Sequence, residues 1–156
     1  MIKQVIQYLI EHKITISTAE SCTGGLIAKQ ITDIPGASAV FVGGVVSYSN
    51  EMKMKILGVK RETLEKYGAV SENTIREMLD GIGKITGSDI TIAVSGIAGP
   101  GGGSAEKPVG TVYVGVGFRG KRDIRLSIFE GDRQSVRMRA TEFAIKMVSD
   151  CLHSKI

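Results

Sequence analysis

Asp89-Ile90-Thr91-Ile92-Ala93-Val94-Ser95 is an almost unbroken apolar run of strand length. Such a run belongs to a strand covered on both faces, as in a parallel sheet between helices. The rest of the chain supplies those helices. Ile2, Val5, Ile6, Leu9 and Ile10 mark one helical face, and Leu26, Ile27, Ile31 and Ile34 a second, stopped by Pro35-Gly36. Between them Lys13 to Thr18 alternates as a strand. Ala39 to Tyr48 reads as a long strand, with Gly43-Gly44 as a bulge or a close backbone approach. Glu51 to Gly58 and Arg61 to Tyr67 read as short helices, and Ser71 caps a helix carrying Ile75, Met78, Leu79, Ile82 and Ile85. Thr111–Phe118 and Asp123–Phe129 form a hairpin across Arg119-Gly120-Lys121-Arg122. Gly131-Asp132 then opens a last helix with Val136, Ala140, Phe143, Met147 and Cys151 inward. The pattern predicts an α/β three-layer sandwich, a mixed, mostly parallel sheet flanked by helices on both faces, as one domain over residues 1–156.

In open sheets of this kind ligands bind outside the carboxyl ends of the strands. Three loops fall there. The first is Ser17-Thr18-Ala19-Glu20-Ser21-Cys22-Thr23-Gly24-Gly25, a strand, a tight turn and a helix start. Ser21 has two readings, a helix cap or a nucleophile beside amides that stabilise negative charge. Thr23 competes for the capping job. Cys22 reads as a small buried residue, with reactivity the other option.

The second loop runs from Tyr48 into a helix whose first turn holds Lys53. An ammonium is disfavoured at that positive helix end, so a desolvated Lys53 would have a lowered pKa and serve as a base; otherwise it is a surface lysine like Lys55 and Lys60. Tyr48 either orients a serine–lysine pair or covers the core edge, and Ser95 either faces a ligand or caps a turn. The third loop, Gly96 to Gly110, lets backbone amides approach a substrate, yet matches no dinucleotide or P-loop spacing. Arg133 and Arg137, four apart on the last helix, suit a phosphate clamp or a solvated face.

Two histidines, His12 and His153, lie near the chain ends. A histidine metal site and a Ser-His-Asp triad are both disfavoured, which leaves lysine as the base for a serine. Two distant cysteines and no signal-peptide pattern or membrane-length run point to the cytoplasm and away from a membrane. The net charge of +4 is dispersed and aromatics are scarce, so a small anionic ligand is expected in place of a nucleic acid. Apolar helix faces at both termini fit a homo-oligomer, a dimer in the simplest case.

Thr18–Gly25, Val46–Lys53, Gly68–Ser71, Ser95–Ser104, Lys107–Val112 and Gly131–Arg133 closely resemble the CinA C-terminal domain family. The motifs cover nearly the whole chain in one order. The N-terminal domain of longer members has no counterpart among them. Stand-alone members of that family are nicotinamide mononucleotide amidohydrolases of pyridine nucleotide recycling. The resemblance implies hydrolysis of the carboxamide to nicotinate mononucleotide and ammonia, with no metal and no cofactor. It implies Ser21 as nucleophile and Lys53 as base, with Tyr48 and Ser95 assisting. The expected substrate contacts are Thr23, Gly24, Ser95, Gly96, Gly101 and Gly102, with Arg133 and Arg137 on the phosphate. The competing expectation is a nucleotide-binding or regulatory module that uses the same pocket without turnover.

Overall fold

β3 (Ile90–Gly96) is the middle strand of a five-stranded sheet, and its first six residues are buried. A computed structural model describes residues 1–154. Along the chain lie α1 (Ile2–His12), β1 (Ile16–Glu20), α2 (Leu26–Thr32), β2 (Phe41–Val46), α3 (Asn50–Leu57), α4 (Arg61–Tyr67) and α5 (Glu72–Thr86). After β3 come β4 (Thr111–Phe118), β5 (Lys121–Ile128) and α6 (Arg133–His153). The strand order is β2-β1-β3-β4-β5. β1 pairs in parallel with β2 and β3, and β4 is antiparallel to β3 and β5, so β4 alone opposes the other four.

The two helical layers follow from the apolar stripes. α1, α2 and α6 cover one face, packing Ile6, Leu9, Ile27, Ile31 and Val136 against Ile16, Ile92 and Val94. α3, α4 and α5 cover the other, packing Leu57, Leu64, Ile75, Met78 and Ile82 over Ala19 and Ala93. The predicted α/β sandwich is therefore the observed one.

Several local expectations shift. β1 is buried along its whole length, where Lys13 to Thr18 reads as half-exposed alternation. With helices on both faces and strands on both sides, Ser17 and Thr18 have no solvent to face. β2 is shorter than Ala39–Tyr48 because Ala37–Ala39 coil into a 3₁₀ turn first. Its register against β1 slips between Ile16 and Ser17, where Val42 is passed over between Phe41 and Gly43. Ile85, near the end of α5, is 53% exposed. Phe143 and Cys151 are half-buried, because α6 turns Ala144, Ile145 and Val148 inward instead. No helix among the described residues is long and apolar enough to cross a membrane.

Candidate active site

Ser21 stands where β1 stops. Its N–H donates to the Val94 carbonyl (3.0 Å), and the next residues leave the sheet in a turn closed by Gly24 N–H to Ser21 O (3.0 Å). Gly24 and Gly25 take φ of +59° and +100°, left-handed values that glycine adopts without steric cost. α2 then begins, and its free amides are met from an unexpected quarter. The carboxylate of Glu20 accepts Ile27 N–H (2.9 Å), Ala28 N–H (3.0 Å) and the Thr23 hydroxyl (2.7 Å). Glu20, 1% exposed, does the capping that the sequence offers to Thr23 or Ser21. Three donors and the positive helix end compensate its burial.

Ser49 caps α3 by accepting Met52 N–H (3.1 Å), which puts Lys53 in the first turn facing inward. At its far end α3 is pressed by α5, since a Cβ on Gly81 would run into the Leu57 carbonyl. Lys53 is 1% exposed. Its Nζ donates to Ser47 O (2.9 Å), Tyr48 O (3.3 Å) and Ser21 Oγ (3.0 Å). Burial lowers its pKa from 10.5, opposed in smaller measure by a charge interaction with Cys22. A neutral amine has two N–H groups and one lone pair. Once neutral, Lys53 would keep both N–H groups on the main-chain carbonyls and turn its lone pair to Ser21 Oγ. Burial pushes the Cys22 thiol up to about 11, which favours its protonated form near neutral pH.

Beside this pair lies a cleft of about 290 Å³. Of the residues singled out in the sequence, Ser21, Lys53, Tyr48, Ser95, Gly96, Gly101, Gly102 and Arg133 line it. Ala69, Val70 and Ile97 add an apolar wall, and Asn50 joins the polar rim. Thr23, Gly24 and Arg137 lie behind the turn, off the cleft wall. Arg137 donates from Nε to Cys22 O (3.0 Å) and from Nη2 to Thr23 O (3.1 Å), so it grips the backbone where a phosphate contact is expected. Tyr48 meets the pair through its carbonyl; its hydroxyl accepts Arg133 Nη2 (2.8 Å). Arg133 Nη1 donates to Gly99 O (2.8 Å), tying the glycine-rich loop to the rim.

Successive rungs of the parallel β1–β3 ladder end at Ser21 N–H to Val94 O. The next rung would be Gly96 N–H to Ser21 O, but that oxygen turns to Gly24. Gly96 N–H is thereby left at the cleft, beside the amides of the Ser21 turn. No local pattern marks Glu20, whose acid reads as an ordinary strand end, or the Ser47 carbonyl on Lys53. A wider hollow of about 640 Å³ lies beyond α5, but its one serine, Ser88, already donates to the Ile90 carbonyl (2.9 Å).

A five-stranded mixed sheet between two helical layers, with a buried lysine 3.0 Å from a serine hydroxyl at the carboxyl edge of its parallel strands, defines the class of α/β domain. The chain belongs to the CinA C-terminal domain family, whose model matches residues 1–152. It is 50% identical over 142 residues to the CinA-like protein of Thermotoga neapolitana, covering 91% of this chain and 35% of that one. It is 51% identical over 148 residues to the CinA-like protein of Kosmotoga olearia, covering 95% and 36%. The chain thus spans about a third of the length of these relatives. Among solved structures, competence damage-inducible protein A (ComA) of Klebsiella pneumoniae superposes with a TM-score of 0.94 at 37% identity, covering 99% of each chain. The competence/damage inducible protein CihA of Agrobacterium tumefaciens gives 0.91 at 39%, covering 97% of this chain and 96% of that one.

Proposed function

We propose that this chain is a serine amidohydrolase that cleaves the carboxamide of nicotinamide mononucleotide to nicotinate mononucleotide and ammonia. The observation that carries the reading is Lys53, fully buried, with Nζ 3.0 Å from Ser21 Oγ and two carbonyls holding its N–H groups. Lysine is a strongly hydrated side chain, and burying one without a carboxylate is costly unless its neutral amine is used. The substrate follows from the family resemblance and fits the cleft: an apolar wall for a ring, a cationic rim at Arg133 for a phosphate, and room for one small ligand.

In the first half-reaction Lys53 takes the proton of Ser21 as Oγ attacks the amide carbon. The developing oxyanion is met by main-chain amides, with Gly96 N–H and the Ser21 turn as the donors in reach. Collapse of the tetrahedral intermediate breaks the C–N bond. Lys53 returns the proton to the leaving nitrogen, and ammonia departs. Water then enters, gives a proton to Lys53 and attacks the ester; Ser21 Oγ leaves and recovers the proton. No step calls on a metal.

The test is ammonia release from nicotinamide mononucleotide by purified protein, with and without a chelator. Equal release in both supports the reading. Saturable ligand binding with no ammonia would replace it with a binding module.

A further inference from the structure

We infer that Glu20 and Arg137 are positioning residues that hold the Ser21 turn from opposite sides and so keep Ser21 Oγ on the Lys53 amine. The inference rests on the amidohydrolase reading. Among the described residues Ser21 Oγ has one hydrogen-bond partner, Lys53 Nζ, so its place depends on the turn that carries it. Glu20 fixes that turn at both ends. Its carbonyl accepts Ser47 N–H (2.8 Å), tying the strand, while its carboxylate reaches over the turn to Thr23, Ile27 and Ala28. One side chain thereby spans the chain from residue 20 to residue 28.

Arg137 grips the same turn from α6. Its guanidinium forks onto the consecutive carbonyls of Cys22 and Thr23, the two residues after the nucleophile. Gly24 leaves room for it, since a Cβ there would stand 3.1 Å from Arg137 Nη2. Neither side chain lines the cleft, so any effect on turnover must pass through the turn they hold, by way of the Ser21 hydroxyl and the turn amides.

A helix that needed only capping would be served by a Ser or Asp at its N-cap, without a buried carboxylate. The position at the start of α2 is filled by Gly25, which makes no side-chain cap. Glu20 stands one residue before the nucleophile instead, and that placement joins the cap to the geometry of Ser21.

The test measures how fast a fluorophosphonate labels Ser21, read by peptide mass spectrometry, alongside kcat and KM on nicotinamide mononucleotide. In labelling, a P–O bond forms, the P–F bond breaks, fluoride leaves and Lys53 takes the serine proton. Glu20→Ala and Arg137→Ala should each slow labelling and kcat by about 100-fold, with KM nearly unmoved, the loss expected for a displaced reacting group. Glu20→Gln and Arg137→Lys keep part of each grip and should recover about tenfold. Thr23→Val removes one of the three donors to Glu20 and serves if the alanine variants do not fold. Arg139→Lys, whose parent donates to Glu130 O outside the turn, is the control and should match the unaltered protein. Folded clamp variants that label and turn over at the control rate overturn the inference while leaving the amidohydrolase intact. Clamp-dependent labelling without ammonia from the unaltered protein keeps the clamp and removes the amidohydrolase reading.

Discussion

Ser17 and Ser21 lie four residues apart at the two ends of β1, and both are buried, yet their surroundings are opposite. Ser17 Oγ lies 2.6 Å from Ser88 Oγ and 3.1 Å from Thr86 Oγ1, in a knot of hydroxyls at the amino edge of the sheet. Thr86 and Ser88 pass their protons on to the carbonyls of Ile82 and Ile90. That edge also receives the carboxyl end of α5, where negative charge is disfavoured. Ser21 faces the Lys53 amine and the start of α2. A buried serine is therefore common structural material, and what sets one apart is a base without a competing acid and a helix end of the right sign.

The sharpest way to break this contrast is to remove each partner. Ser21→Ala and Lys53→Ala should each lower ammonia release from nicotinamide mononucleotide by about 1,000-fold or more, whereas Ser17→Ala should leave it unchanged. Equal losses at the two serines in steady-state assays would erase the distinction. Next in size is Gly81→Ala. Its Cβ meets the Leu57 carbonyl and must push α3 from α5, at a cost of about 2–3 kcal/mol in urea unfolding, with activity falling as Lys53 moves.

Burial of Lys53 has a signature in stability as well. Its folded pKa lies below 10.5, so between that lowered value and 10.5 the unfolded chain binds more protons and stability rises with pH. Below the window the penalty is constant; above 10.5 it is gone. Urea midpoints of the unaltered protein minus those of Lys53→Met should climb through that window, and a flat difference would mean that Lys53 is not desolvated. At the amino edge, Ser17→Ala should cost about 1 kcal/mol, the net worth of a hydroxyl whose neighbours keep other partners. The smallest effect concerns Cys22, whose thiol, with a pKa of about 11, should resist iodoacetamide at pH 8 in the folded protein.

Much of the carboxyl edge was legible in the sequence because local rules govern it. Ser49, Ser71 and Asp132 cap their helices as serine and aspartate before an apolar stripe should. The three strand-end loops do meet at one cleft, because parallel strands put their carboxyl ends on one side. What escaped, or stayed open between two readings as Lys53 did, was set by distance in the chain. Lys53 reads like Lys55 or Lys60 until the fold lays α3 against Ser21, 32 residues away. Arg137 reads like a phosphate ligand because a free guanidinium and one spent on Cys22 and Thr23 carbonyls look alike in sequence. The alternation of Lys13 to Thr18 misled for a similar reason, since Ser17, buried against the Ser88 and Thr86 hydroxyls, mimics a solvent face.

The most direct test of the serine–lysine account is to quench the protein in acid during turnover of nicotinamide mononucleotide and weigh the peptide carrying Ser21. The account predicts added mass equal to the acyl group of nicotinate mononucleotide on that peptide, absent from Ser21→Ala. Turnover by Ser21→Ala, or steady ammonia release with the acyl group on another residue, would contradict it.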